Sequence, residues 1–252
     1  MTTKTSTTVL RSMQLLEVLA TLGQGSVRQL AERSGATPAT THRMLVSLRA
    51  AGMVEDGDGG GFRLAPHVLA LGLRVPQYQR LRDCASGPLR ALSERMQLPA
   101  LLSLRDQDNV VYVLTADARG RPSPSRPGDL RALHCTASGK VLLAHADADL
   151  VETVIAAGLS RRTANTITSS ARLVDELADV RQTGVAVDIG EYVGDWSAIA
   201  APVYGPSGSV DAALALCAAP GSVEIARLTR STLLRSADAL SRLLRRNGSP
   251  DS

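Results

Sequence analysis

Helix-ending and helix-starting residues in the first fifty positions constrain this chain more than any other feature. Gly23-Gln24-Gly25-Ser26, Gly35 and Thr37-Pro38 cut residues 9–52 into three short helices. Ser26 is a good N-cap and Gly35 a good helix stop. Thr37 caps the third helix, with Pro38 at its first position, where the missing N–H costs nothing. Residues 9–22 place Val9, Met13, Leu16, Leu19 and Leu22 on one stripe. In the third helix Thr41, Met44, Leu45 and Leu48 fall on the inner side, and Ala39, Thr40, Arg43 and Ser47 on the opposite side. Two short helices joined by a tight Gly-containing turn form a helix-turn-helix. Beyond Gly52, Met53-Val54 and Phe62 and Leu64 flank a Gly/Asp-rich turn. That is a hairpin signal, and it makes the unit a winged helix-turn-helix.

Charge points the same way. The chain carries 28 basic and 24 acidic side chains, with a pI of about 9.3. Residues 1–75 hold eight basic and five acidic groups, a net of 8 − 5 = +3, whereas residues 76–252 hold 20 and 19. A small, polar outer face around one Arg suits a major groove, with Arg43 reaching a guanine edge or a phosphate. Candidate DNA contacts are Arg28, Thr37, Ala39, Thr40, Arg43, Ser47 and Arg63. Glu55, Asp56 and Asp58 on the wing oppose this, because they repel phosphate.

Several function classes are excluded or disfavoured. No apolar run approaches the roughly 18–20 residues of a membrane span. The first nine residues have no apolar signal core, and three widely spaced cysteines do not make a disulfide framework, so a cytoplasmic chain is expected. There is no G-x-S-x-G elbow and no dinucleotide fingerprint. His42, His67, His134 and His145 lack metal-ligand spacing, and the adjacent His134 and Cys135 point apart. No catalytic residue, metal or cofactor is expected.

Downstream, residues 66–75 read as a short apolar helix ending at Pro76, and 78–97 as a longer one with Leu81, Leu89, Leu92 and Met96 inward. The period then changes to two. Strands are expected at 100–104, 110–114, 196–204 and 209–218, and helices at 138–146, 147–157, 169–183 and 222–246. The Pro/Gly/Arg-rich run 118–129 reads as a mobile loop. Strands in one sheet with helices outside make an α+β domain. Thr136-Ala137-Ser138-Gly139-Lys140 precedes a helix. It is either an ordinary capped start or an anion site, and not a P-loop. Trp196, Ala198 and Ala200 share a strand face, as do Ala213, Ala215 and Cys217. Such small residues either leave a cavity or let helices pack closely.

The run SVRQLAERSGATPATTHRMLVSLRAAGMVEDGDGGGFRLAPHVLALG resembles the DNA-binding domain of the IclR family of bacterial transcriptional regulators. RPGDLRALHCTASGKVLLA and TGVAVDIGEYVGDWSAIAAPVYGPSGSVDAALALCAAP resemble two further segments of that family, in the same order. The resemblance implies a winged helix-turn-helix (1–65), a linker helix (66–76) and a GAF/profilin-like effector-binding domain (77–248). It implies that the backbone at Ala137 and Ser138 holds a carboxylate, and that Asp188, Ala198, Ala215 and Cys217 line the site with Trp196 beside them. Members that bind very small oxoacids carry polar or thiol groups where this chain has Ala198, Ala215 and Cys217. A larger, partly apolar carboxylate, aromatic acids included, is therefore expected. The implied partners are double-stranded DNA with a pseudo-palindromic operator, the small organic acid, and further copies of the chain as a homodimer or dimer-of-dimers tetramer. The alternative is a small-molecule sensor acting through a protein partner, with the N-terminal domain used for dimerisation.

Overall fold

The computed structural model describes residues 5–117, 123–218 and 225–246. The chain divides after Gln79 into two compact units.

Local caps build the N-terminal unit. α1 (Thr7–Leu22) is followed by a two-residue strand, β1 (Gln24–Gly25). α2 (Val27–Ser34) opens on a capping box: the Ser26 hydroxyl accepts from the Gln29 N–H, and the Gln29 side chain accepts from the Ser26 N–H. It closes at Gly35, which sits in the left-handed region at φ 66°. α3 (Pro38–Ala50) opens on Thr37, whose side chain accepts from the Thr40 N–H. The hairpin of β2 (Val54–Asp56) and β3 (Phe62–Leu64) pairs Val54 with Leu64 and Glu55 with Arg63. β1 adds to the far side of β3, giving the order β1-β3-β2. The core is Leu15, Leu19, Leu30, Met44, Leu45, Leu48, Val54 and Phe62.

The inner side of α3 is as the spacing predicts, and the α1 stripe holds at Leu16, Leu19 and Leu22, which pack on the core, but not at its start. Val9 is 56% and Met13 46% exposed, and the buried pair is Leu15 and Leu19. α1 has 16 residues and α2 has eight. At 1.5 Å per residue, α1 is about twice as long as the helix it packs on, so its first turns outrun the core. Thr41 is fully buried and its hydroxyl has no hydrogen-bond partner. An unmade hydrogen bond of this kind costs about 1–3 kcal/mol. Thr41→Val keeps the branched shape, so denaturant unfolding should show this unit stabilised by about 1 kcal/mol. Destabilisation would contradict that reading. α4 (Pro66–Gly72) starts with Pro66 in the first turn and leaves Leu69 and Leu71 exposed.

In the C-terminal unit, α5 (Pro76–Met96) buries Leu81, Leu89 and Leu92 as expected, and Met96 only partly. It is followed by β4 (Ala100–Asp106), β5 (Asn109–Ala116) and β6 (Leu130–Ala132). Next come α6 (Ala137–Ala144), α7 (Ala148–Ala156) and α8 (Ser170–Thr183). The chain closes with β7 (Ala186–Ile189), β8 (Ser197–Tyr204), β9 (Val210–Ala218) and α9 (Ile225–Arg246). The sheet is antiparallel, in the order β6-β5-β4-β9-β8-β7. α6 contacts both β8 and β9 and also meets α8, and α9 contacts the same two strands. Both central strands are buried along almost their whole length, as expected for a sheet covered on both faces.

The Pro/Gly/Arg-rich run expected to be a mobile loop is tied down in its described part. Residues 118–122 lie outside the described residues. Beyond them Ser125 is buried, the Gly128 N–H donates to the Tyr112 carbonyl at 2.8 Å, and the Tyr112 N–H donates to the Asp129 carbonyl at 3.1 Å. The start of the expected helix 222–246 also lies partly outside the described residues.

Close packing takes most of the room above the small-residue face. Ala200, Ala213 and Ala215 are buried in one cluster with Val141, Leu142 and Leu143 of α6. Every residue of α6 is buried. Gly139 lets the segment before α6 fold tightly against the helix start, since a Cβ there would run into the Leu133 backbone and the Thr136 hydroxyl.

Candidate functional site

Two regions carry chemistry, one in each unit. In the first, Ala39, Arg43 and Ser47 are exposed along α3, with Thr40 half-buried. Thr37 and Thr40 are engaged in capping, their hydroxyls 3.0 Å apart, and the Ser47 hydroxyl donates to the Arg43 carbonyl. His42 and Val46 share the open strip, which the division of α3 into faces passed over. Of the three candidate arginines, Arg63 pairs with Glu55 at 2.8 Å and Arg28 with Glu32 at 3.1 Å. The Glu55 partnership also raises the Arg63 pKa. Arg49 pairs with Asp56 at 2.8 Å. Two of the wing's three acids are thus matched by cations of the same unit. Arg43 makes no ion pair among the described residues, so its charge is free to meet a phosphate or a base edge.

In the C-terminal unit, the two edge strands of the sheet meet at one cavity. Arg131 comes from β6, Asp188 from β7, and Ala198 and Cys217 from the paired strands β8 and β9. Tyr112, Ser125, Thr136, Tyr192 and Trp196 complete its walls. The cavity is small, about 30 Å³, room for about one water.

The residues expected to form the effector site are divided by the structure. Asp188, Trp196, Ala198 and Cys217 share this cavity. Ala215 lies on the same face of β9 but beneath α6, in the buried cluster. Ala137 and Ser138 are buried at the start of α6 and do not line the cavity, whereas Thr136 does. Thr136 caps the helix by accepting from the Gly139 N–H at 3.0 Å.

Lys140, in a setting that suggests a phosphate or carboxylate ligand, is used internally. It is 1% exposed, and its ammonium donates to Glu176 and Glu191 at 2.7 Å each and to the Val187 carbonyl at 2.5 Å. Burial lowers its pKa, but the two carboxylates outweigh this and hold it above the ordinary lysine value. One cation therefore answers two carboxylates, and a third, Asp188, stands close by.

Burial pushes Asp188 up to about 7, and the Glu191 charge adds to this. The N–H groups of Glu191 (2.7 Å) and Tyr192, together with the Lys140 charge, work in the opposite direction. Burial likewise pushes the Cys217 and Cys135 thiols up to about 12 and raises Tyr112, so all three are neutral at physiological pH. All three cysteines are buried, and no disulfide joins them. His134 Nε2 donates to the Ser160 carbonyl (3.1 Å), and burial lowers its pKa. No cluster of metal-ligating side chains occurs among the described residues, and none of their helices is long and apolar enough to cross a membrane.

Arg131 was not singled out by sequence reasoning. Its side chain is 14% exposed, and its guanidinium stacks 4.5 Å above the Tyr192 ring and lies 6.0 Å from that of Tyr112. One terminal nitrogen, Nη2, donates to the Pro124 carbonyl at 2.6 Å and reaches the half-exposed Asp129 at 3.4 Å. The buried Nε has no partner. Arg131 lies just beyond the Pro/Arg-rich run, on a three-residue strand too short to show a period that would assign it a face.

The IclR helix-turn-helix family model matches residues 8–57, and that of the bacterial transcriptional regulator IclR C-terminal domain matches residues 74–242. The chain belongs to the IclR family. The HTH-type transcriptional regulator BhcR of Paracoccus denitrificans is 30% identical over 222 residues, covering 87% of this chain and 80% of its own. KdgR of Escherichia coli K12 is 30% identical over 211 residues, covering 82% and 80%. In structure, an IclR transcriptional regulator from Silicibacter sp. TM1040 matches with a TM-score of 0.82 at 29% identity, covering 94% of this chain and 96% of that one. An IclR homologue from Microbacterium hydrocarbonoxydans, complexed with 4-hydroxybenzoate, has the same TM-score at 24% identity, covering 95% and 100%. The winged helix-turn-helix followed by a curled-sheet α+β domain is therefore the IclR architecture, and the protein is an IclR-type transcriptional regulator with a DNA-binding helix-turn-helix.

Proposed function

We propose that this IclR regulator binds a pseudo-palindromic operator through the outer face of α3 and is controlled by a small, partly apolar carboxylate in the cavity walled by Asp188 and Trp196. The domains run 1–65, 66–76 and 77–248, and the protein acts as a homodimer or a dimer-of-dimers tetramer. One α3 enters the major groove of each half-site. Arg43 reads a guanine edge or clamps a phosphate, and the small side chains of Ala39 and Ser47 permit close approach. The exposed Val46 would suit a thymine methyl. Arg28 and Arg63, each shared with an acid, would contribute less. Effector binding shifts the population between DNA-competent and DNA-incompetent states.

The observation that carries this reading is the unpaired Arg43 among small residues on α3, in a chain whose other unit holds a cavity with charged and aromatic walls. The Microbacterium homologue's 4-hydroxybenzoate belongs to that protein, and its likeness here extends to fold alone. The case for an aromatic acid rests on Trp196, Tyr112 and Ala198. Mobility-shift titration with the DNA flanking the gene tests the DNA arm. Binding should be sequence-selective and weaken steeply with salt, and Arg43→Ala should cost about 1–3 kcal/mol, roughly 5- to 150-fold. Equal affinity of wild type and Arg43→Ala for any DNA would favour the reading of a sensor that acts through a protein partner.

A further inference from the structure

We infer that Arg131 reads the charge of the effector beside the start of α6, and that the cavity selects an acid carrying a hydrogen-bond donor at its far end, which Asp188 accepts. This rests on the reading of the cavity as the effector site.

The geometry comes from the curl of the sheet. β6 and β7 are its two outermost strands, yet Arg131 and Asp188 line the same small space. They make no ion pair with each other. A cation and an acid share one cavity without pairing, Tyr112 and Cys217 lie near both, and Trp196 and Ala198 add apolar wall, which makes a polar–apolar–polar lining. The complementary molecule is an anion, an apolar or aromatic body, and a hydroxyl or amine, in that order.

Arg131 has capacity left for that anion. A guanidinium carries five N–H donors. The described hydrogen bonds use Nη2 alone, and Nε is buried without a partner. The acid it does touch, Asp129, is half-exposed and 3.4 Å away. The start of α6 lies beside the same wall, since Thr136 lines the cavity and the Ser138 side chain hydrogen-bonds to Tyr112, but Lys140 is consumed by Glu176 and Glu191. Arg131 also holds the cavity shut. It donates to the Pro124 carbonyl and stacks on Tyr192, and both residues are walls that must part for anything larger than a water. A carboxylate that draws the guanidinium inward would loosen both attachments.

The chain has one tryptophan, Trp196, which lies in the cavity wall and reports binding by its fluorescence. Full-length wild type, Arg131→Leu and Arg131→Lys would be titrated with 4-hydroxybenzoate, benzoate and the neutral 4-hydroxybenzamide. Circular dichroism would confirm that each variant is folded, and Arg131→Lys keeps the charge should the leucine variant fail. In wild type, 4-hydroxybenzoate should bind more tightly than benzoate, which lacks the donor for Asp188. Arg131→Leu should weaken both acids about tenfold or more and leave the amide unchanged, while Arg131→Lys keeps a preference for acid over amide. If both variants bind the acids as wild type does, the Arg131 assignment fails and the cavity reading stands. If wild-type Trp196 responds to none of the three probes, the cavity reading fails and takes this inference with it.

Discussion

Lys140→Met is expected to destabilise the C-terminal unit by about 3–5 kcal/mol, the cost of removing one partner from a buried ion cluster. The methionine fills similar space, so little of the loss should come from packing. The cost arises because Glu191, only 9% exposed, keeps its charge or takes a proton with no cation facing it, while one of its oxygens already lacks a partner. The Val187 carbonyl on edge strand β7 loses its donor as well. The double change Lys140→Met with Glu191→Gln should recover part of the loss, because the more deeply buried of the two paired carboxylates then carries no charge. Urea unfolding followed by circular dichroism measures both. A loss below about 1 kcal/mol for the single variant would mean that the cluster is solvated.

Asp188→Asn is expected to change the pH dependence of stability, with a sign fixed by the direction of its shift. The folded carboxyl titrates at about 7, above the roughly 3.9 of an unfolded aspartate. Its favourable contribution is therefore complete below about pH 4 and is lost as pH rises through 7. A displacement of about three units corresponds to at most about 4 kcal/mol. The groups that set it are Glu191, whose charge raises it, and Lys140, whose charge lowers it, with the Glu191 and Tyr192 N–H groups favouring the ion. The asparagine side chain of the variant cannot ionise, and its oxygen can still accept from the Glu191 N–H. Wild type should lose stability relative to Asp188→Asn between pH 5 and pH 8.5, by about 2–3 kcal/mol. Thermal melts at the two pH values test this, and parallel loss in both proteins would contradict it.

What can be read from the sequence is local. Ser26, Gly35 and Thr37-Pro38 each act within one helical turn, so the helix-turn-helix and the inner face of α3 are legible from residue order alone. The α1 stripe holds at Leu16, Leu19 and Leu22 and fails at Val9 and Met13, because periodicity gives the direction of a face and not the length of its partner. Edge strands β6 and β7 are three and four residues long, too short to show alternation. Asp188, Trp196, Ala198 and Cys217 can be placed together through the family resemblance. Arg131 cannot, because its place beside Asp188 depends on the curl of a whole sheet. Lys140 misleads for a related reason. Gly-Lys before a helix suggests an anion from outside, and the anions turn out to be Glu176 and Glu191 from distant positions in the chain.

The central claim is that a ligand in the Arg131–Asp188 cavity controls how α3 holds DNA. Its most direct test is fluorescence anisotropy of labelled operator DNA titrated with the full-length protein, at fixed salt, with and without saturating 4-hydroxybenzoate. Wild-type affinity should change by about 5- to 150-fold, the usual range of coupling between two sites. Arg131→Leu at the same acid concentration should change far less. An operator affinity that stays constant while Trp196 fluorescence shows the acid bound would contradict the account.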